Sequence, residues 1–516
     1  MRSIARIVTG LALTLSASAQ TLIHTSQSNP AQPPSGLTVV QAARASEFLD
    51  SIGVATHLDY LDGPYRDMLK VEALLLQSGI RNIRDGGTNA AAVSRLREMA
   101  DHGVALTWVM DPSDGVAPNA GYWTAPPHYM LAPFLKTVLG TKNVRAIEVS
   151  NEIDIFYRNK RWYPGDSEQL NKYSRSGRYW GKYIPNLTRD TWQVMRSDPA
   201  FASIQVLGTS FGGASAGVPA GTFSHDTDAG TFHPYMYRGN SAVLNAQPYD
   251  SVPKYFVDST QPSVYIDENP TAFERFDTPY KDGGSAKPMI ATETGYYTGS
   301  DQYSISESAH ARYIPRIFAE NFRHGIPRSF VYEFLDEGDD GKMEHSFGLV
   351  RADLTPKPAY YALQSLIQLL SDREAVKAPT AKLTYSVAVT SNDRAAHLQY
   401  AHDLLLQKAD GDLYLLVWHE ISDANRTDLA GVAVKGTDID VASPDLNVKI
   451  TLPKEITKVT VYRYDAHWTL IPTPLTLEGG SVSTYASDKI AVLKLESTSR
   501  KSSSDSTRRP TTRGSK

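Results

Sequence analysis

The chain of 516 residues contains no cysteine. Disulfides, thiolate metal centres and cysteine nucleophiles are therefore excluded, and stability has to come from a large apolar core. An excess of either charge is also lacking. The 52 Lys and Arg residues face 56 Asp and Glu, a net charge of −4. That balance suggests no polyanion partner, and nucleic acid is not an expected ligand. Beyond the N-terminus no apolar run approaches the length of a membrane span. Three ligand-handling signatures are missing too: a glycine-rich phosphate turn after the first predicted strand, a P-loop, and a His-Glu-x-x-His helix. No cofactor and no metal are expected.

The N-terminus reads as a signal peptide over residues 1–19. Arg2 and Arg6 are basic, Ile7 to Leu15 is apolar apart from Thr9, Gly10 and Thr14, and Ala17-Ser18-Ala19 supplies a small-residue cleavage site. The apolar run is too short for an anchor, so a secreted or periplasmic protein without membrane attachment after cleavage is expected. Residues 20–45 read as an extended polar lead-in.

Short apolar strands then alternate with helical stretches, the pattern of a parallel α/β fold. Eight strands are expected: Ile52 to Thr56, Ile80 to Arg84, Ala105 to Met110, Val144 to Ser150, Ile204 to Gly208, Thr231 to Pro234, Met289 to Thr292 and Ser329 to Phe334. Asp67 to Gln77 and Ala359 to Leu370 read as helices between and after them. Eight strands with interposed helices over residues 46–374 predict a (β/α)8 TIM barrel, whose active site would lie at the C-terminal ends of the strands. From 375 to 497 the pattern becomes alternating apolar and polar with turn signals. Asp410-Gly411 between two apolar runs is a hairpin signature, and a C-terminal antiparallel β-sandwich is expected. Residues 498–516 hold no large apolar side chain and read as a disordered tail. The oligomeric state is not legible.

Hydrolysis of a glycosidic bond with retention requires two carboxyl groups about 5 Å apart across the sugar. A barrel can supply them from the ends of two strands. Strand four ends Ile147-Glu148-Val149-Ser150-Asn151-Glu152, and strand seven is Pro288-Met289-Ile290-Ala291-Thr292-Glu293-Thr294-Gly295. One glutamate at a strand end is ordinarily a solvated acid. Two, at the ends of strands four and seven, form a candidate catalytic pair.

These two segments resemble those of a large clan of retaining glycoside hydrolases that includes cellulases, β-xylosidases, α-L-iduronidases and arabinofuranosidases. The resemblance runs over roughly residues 50 to 370. It implies Glu152 as acid/base, Glu293 as nucleophile, and Asn151 as hydrogen-bond partner of the sugar 2-hydroxyl. It extends to Arg84 and to His233-Pro234-Tyr235, which would hold and orient the nucleophile, and to the closing segments Phe347 to Leu349 and Thr355 to Tyr360. Two departures stand out: Ile153 follows Asn-Glu in place of proline, and Tyr332, Glu333 and Phe334 occupy the region of the clan's strand-eight tryptophan. The implied partner is a carbohydrate substrate. The rival reading is a secreted carbohydrate-binding or scaffold protein on a catalytically inactive barrel.

Several residues carry a blander reading beside the functional one. Arg84 with Asp85 fits a structural ion pair, and His233 a packed core histidine. Glu148 fits a partner for Arg84, a partner for Arg145, or a group behind the site. Trp162 and Trp108 are candidate sugar-stacking rings, Trp162 in an aromatic loop with Tyr163, Pro164 and Gly165. Asp336, Glu337, Asp339 and Asp340 after strand eight read as a solvated loop, with substrate contact or a hard cation as alternatives. Gly208-Thr209-Ser210-Phe211-Gly212 matches a nucleophile elbow, but Gly213, Gly217 and Pro219 follow where a helix is required.

Overall fold

A computed structural model of the chain describes residues 36–110, 131–152, 180–211, 224–235, 281–282, 285–300, 304–372, 379–390, 401–419 and 445–497. At its centre is a parallel sheet of eight strands: Ile52–Ala55, Asn82–Asp85, Ala105–Val109, Val144–Glu148, Gln205–Leu207, Gly230–Phe232, Met289–Thr294 and Ser329–Val331. Numbered one to eight, they hydrogen-bond in the order five-four-three-two-one-eight-seven-six. A parallel bridge between Leu207 and Ala229 brings strand five to strand six, so the sheet curls onto itself as a (β/α)8 barrel. Each strand overlaps the segment expected for it.

The inside of the barrel is filled, as its narrow diameter requires. Ala146, Leu207, Ala229, Ile290 and Phe330, one from each of strands four to eight or their flanks, form a separate apolar plug. Gly53 on strand one makes room for it: a Cβ there would lie 2.5 Å from the Phe330 ring. Two residues further along strands four, six and seven, on the same face, come Glu148, Thr231 and Thr292. The interior therefore turns from apolar to polar toward the C-terminal ends of the strands.

Helices cover the outside, with ends written in the sequence. Asp67 caps Met68–Ser78, which stops at Gly79 with φ of 86°. Asn89 caps Ala90–Asp101 through Ala92 N, and Ser306 caps Glu307–Arg323 through Ala309 N. Pro358–Leu370 begins on proline, which suits a first turn.

Two antiparallel sheets follow the barrel. One has Thr38–Gln41, Lys382–Val389, Leu446–Thr451 and Ser481–Ala486 in that order. The other has Leu470–Leu475, Ile456–Tyr464, Ala491–Ser497, Leu413–His419, Ala401–Gln407 and Ala43–Arg44. The stretch read as a lead-in thus does more than link: residues 38–44 give each sheet an edge strand. Thr38–Gln41 runs antiparallel to Lys382–Val389, and Ala43–Arg44 parallel to Ala401–Gln407. The Asp410-Gly411 hairpin is present, joining Ala401–Gln407 to Leu413–His419.

The strands Ala401–Gln407, Leu413–His419 and Ala491–Ser497 of the second sheet are buried on both faces, which explains their apolar runs. Leu405, Leu415 and Val417 point into the sandwich core. The alternate residues Leu404, Leu406, Leu416 and Trp418 join the core of the barrel and its helices. Polar contacts reinforce that join. Arg316 Nη1 donates to Asp488 O at 2.9 Å, and Tyr464 Oη to Ala362 O at 3.0 Å. Glu320, fully buried, accepts from Trp418 Nε1 at 3.2 Å and meets His402 and His324.

Burial alone would push the Glu320 carboxyl up, but His402, His324 and Arg323 more than offset it and hold it well below the usual value. A carboxylate with a depressed pKa contributes stability that is present above its unfolded value of about 4.3 and is lost as pH falls through the folded one. Glu320→Ala should cost about 3–5 kcal/mol in denaturant unfolding of the full chain at neutral pH. It should also flatten the fall in stability below pH of about 4.3.

Candidate active site

The C-terminal ends of strands two, four, six and seven converge on one cluster. Arg84 of strand two is the hub. Its Nε donates to Glu148 Oε2 at 2.6 Å, Nη2 to Glu148 Oε1 at 3.2 Å and Asn151 Oδ1 at 2.9 Å, and Nη1 to Glu293 Oε1 at 2.7 Å. Tyr235 Oη donates to the other Glu293 oxygen at 2.9 Å. His233 Nδ1 lies 2.8 Å from Glu152 Oε1 and 3.4 Å from Glu293 Oε2. One oxygen of Glu152, one of Glu293 and a ring nitrogen of His233 all fall within 4.8 Å of one another.

Local backbone places these groups. Glu152 adopts φ of +38° just past strand four, turning its side chain back over the barrel mouth. Ser210 Oγ, after strand five, accepts from Glu152 N at 3.4 Å and lies 3.4 Å from Asn151 Oδ1. The glycine two residues past Glu293 has a steric cause: Gly295 has φ of +145°, and a Cβ there would sit 2.6 Å from Tyr332 O. Thr292 Oγ1 donates to Glu148 Oε1 at 3.2 Å, completing the shell behind Arg84.

Electrostatics separate the buried acids. Burial pushes the Glu293 carboxyl up, but His233, Arg84 and the Tyr235 hydroxyl outweigh burial and hold it below the usual carboxylate value. Burial and the Glu293 charge push the Tyr235 hydroxyl well up, so it remains a donor. His233 is raised: burial opposes its charge, and Glu293 and Glu152 overcome burial. Glu333 goes the other way. Burial, then Glu337 and Asp336, push its carboxyl well above the ordinary value.

The structure decides among the readings left open by the sequence. Glu148 partners Arg84, while Arg145 pairs with Asp50. Asp85 is not the partner of Arg84: it accepts from Thr56 Oγ1 at 2.5 Å and Leu58 N at 2.9 Å and ties down the segment after strand one. His233, though buried, contacts both acids. Trp108 is corrected. Its indole is 1% exposed, packs 4.8 Å from the Phe134 ring and donates to Gly87 O, on the helix side of strand three. It fills core between strand and helix and lines no part of the cluster. Trp162 lies outside the described residues. The acidic stretch after strand eight is not one solvated loop. Asp336 is buried, accepting from Lys357 Nζ and Gly348 N at 2.7 Å each, whereas Asp339 and Asp340 are exposed.

Two residues at the mouth escaped the sequence reading. His57 stands directly after strand one, and the rule that singled out Glu152 and Glu293, a polar residue where an apolar strand ends, applies to it equally. Ser210 was weighed only as a nucleophile, whereas its contacts are with Asn151 and Glu152.

No protein-family model matches the sequence, and no curated protein matches it. Solved structures do. One is a family 39 glycoside hydrolase from Bacteroides cellulosilyticus, with a TM-score of 0.54, 18% identity, and 88% of this chain and 82% of that chain covered. Another is the GH39 enzyme from Xanthomonas axonopodis pv. citri, with a TM-score of 0.50, 14% identity, and 89% and 96% covered. At these identities the likeness is one of fold, and it extends over both barrel and sandwich.

Replacing Arg84 by Met would leave Glu148 and Glu293 buried without their cation. The expected result is a loss of about 3–5 kcal/mol in unfolding free energy. In carboxyl NMR the Glu293 titration should move upward. An unchanged titration would mean that Arg84 does not set the state of Glu293.

Proposed function

We propose that the chain is a retaining glycoside hydrolase, with Glu293 as nucleophile and Glu152 as general acid/base. The observation that carries this reading is the closeness of the two acids across His233, with one oxygen of Glu152 within 4.8 Å of one of Glu293. Retaining enzymes hold their carboxyl groups about 5–5.5 Å apart, and inverting ones about 6.5–9.5 Å to admit a water. The contrast in partners supports the division of roles. Glu293 receives hydrogen bonds from Arg84 and Tyr235 on separate oxygens, which favours the anion that attacks. Glu152 meets His233 but neither Arg84 nor Tyr235, and it is partly exposed at the mouth, where a leaving group departs.

In the first step a Glu293 oxygen attacks the anomeric carbon while Glu152 gives its proton to the departing glycosidic oxygen. A glycosyl ester forms at Glu293 and the C–O bond to the leaving group breaks. In the second step Glu152, now a carboxylate, takes a proton from water, which attacks the same carbon and releases Glu293. Asn151 has its carbonyl oxygen engaged by Arg84, which fixes the amide and leaves its N–H groups for the sugar 2-hydroxyl. His233 spans the two acids and keeps them at working distance. The chemistry asks for no cofactor. The signal-peptide pattern of residues 1–19 supports a secreted or periplasmic location, and the substrate in this reading is a poly- or oligosaccharide. Among the described residues no helix is long and apolar enough to cross a membrane.

A panel of aryl glycosides tests the reading. Turnover of at least one is expected, and a protein that binds oligosaccharide yet releases no product belongs to the binding class. Glu293→Ala should abolish turnover of every substrate. Glu152→Ala should lose about 10²–10⁴-fold on substrates with poor leaving groups. With a dinitrophenyl glycoside it should release a burst of phenolate, then stall, and azide should restore turnover. If Glu152→Ala hydrolyses poor substrates normally, the acid/base lies elsewhere. The acid limb of kcat/KM reports the ionised Glu293. It should fall at a pH below the ordinary value of 4.5, and Tyr235→Phe should move it upward.

A further inference from the structure

A second cluster lies beside the catalytic pair, and the chemistry above does not use it. His57 follows strand one, and Glu333 and Glu337 follow strand eight, which pairs with strand one. His57 Nδ1 is 2.5 Å from Glu337 Oε1 and 3.4 Å from Glu333 Oε2. One nitrogen and two carboxylate oxygens from the three residues lie within 4.8 Å of one another. Tyr332 stands between the clusters, its ring 5.6 Å from that of His57 and 6.5 Å from that of Tyr235.

Glu333 is the unexplained member. Its side chain is fully buried, yet neither carboxylate oxygen accepts a hydrogen bond. Buried polar groups nearly always find a partner, and a buried carboxylate needs donors or a cation. The His57 nitrogen it faces is already engaged by Glu337. The charges around it are mostly negative: Glu337, Asp336 and Glu293, against Lys357, which is itself paired with Asp336. The Glu152–His233–Glu293 group has the same spacing but not the same deficit, because Arg84 and Tyr235 satisfy Glu293. The unmet partner, for two buried carboxyl oxygens that nothing engages, therefore belongs to the second cluster.

We propose that His57, Glu333 and Glu337 bind a divalent transition-metal ion of the zinc or manganese class. One imidazole nitrogen with two carboxylates suits such ions, whereas magnesium and calcium take oxygen ligands. Bonds of about 2.1 Å put tetrahedral ligand atoms about 3.4 Å apart. His57 Nδ1 and Glu333 Oε2 already have a separation of 3.4 Å. Glu337 has to draw back by about 1 Å to match. The side chains of His57 and Glu337 are 23% and 16% exposed, which gives an ion its route in, and Glu333 forms the floor. Three protein ligands leave a coordination position for water or a substrate hydroxyl.

The test is binding, so it stands apart from whether the chain hydrolyses glycosides. Full-length protein without an affinity tag, stripped with chelator, is titrated with zinc chloride and with manganese chloride in a calorimeter. One ion per chain is expected for at least one of the two metals, and no heat with magnesium chloride at the same concentrations. Glu333→Gln and Glu337→Gln should each weaken binding by about 100-fold or more. Glu337 is partly exposed, so its variant reports even if Glu333→Gln fails to fold. Glu293→Gln should leave the affinity within about twofold, which separates this site from the catalytic cluster. The proposal is overturned if neither metal binds at one per chain, if Glu337→Gln binds as tightly as the parent, or if Glu293→Gln abolishes binding.

Discussion

The guanidinium of Arg84 holds two buried carboxylates and one amide at once. Glu148 takes two of its N–H groups, Glu293 a third, and Asn151 shares Nη2. These groups come from strands two, four and seven, so one side chain ties three staves of the barrel together at the level where it opens. A buried charge of this kind is tolerated only when fully paired. Here the pairing does two jobs. It neutralises Glu148 deep in the barrel, and it keeps Glu293 ionised at the mouth. Arg84 is the group that satisfies the folded core and Glu293 together.

The barrel supports this arrangement by being solid underneath. The plug of Ala146, Leu207, Ala229, Ile290 and Phe330, with Gly53 yielding space, gives way within two residues to Glu148 and Thr292. The polar layer starts where apolar packing ends. Farther out, helix Glu307–Arg323 presents Glu320 to Trp418 and His402 of the sandwich. The helix that follows strand seven is thereby clamped from outside. The sandwich is in this sense part of the barrel's outer wall, and residues 38–44 stitch both its sheets to the start of the barrel.

What the sequence disclosed follows from which physical signals are local. Eight strands and the principal helices were legible because apolar runs, caps such as Asp67 and stops such as Gly79 act over a few residues. Glu152 and Glu293 were legible because a strand end is a local feature. The Arg84 to Glu148 choice was not, since Arg145 is nearer in sequence and only closure of the sheet brings residues 64 positions apart to 2.6 Å. Trp108 misled for a related reason. A tryptophan on a strand next to a candidate site has two faces available, and only strand register tells that this one meets Phe134. Asp336 looked solvated beside Glu337, Asp339 and Asp340. Its burial depends on Lys357, 21 residues later. The edge strands at 38–44 were missed because four residues of extended chain carry no sign of a partner more than 300 residues away.

The central claim is that Glu293, held by Arg84 and Tyr235, forms a covalent bond to the sugar. It is tested most directly by mapping the label left by a 2-deoxy-2-fluoro analogue of whichever aryl glycoside the protein turns over. The fluorine slows the second step, so the glycosyl ester accumulates. The account predicts one sugar per chain, located by peptide mass spectrometry on Glu293, with the hydrolysis product of the natural linkage keeping its anomeric configuration. A label on another residue, or a product of inverted configuration, would contradict it.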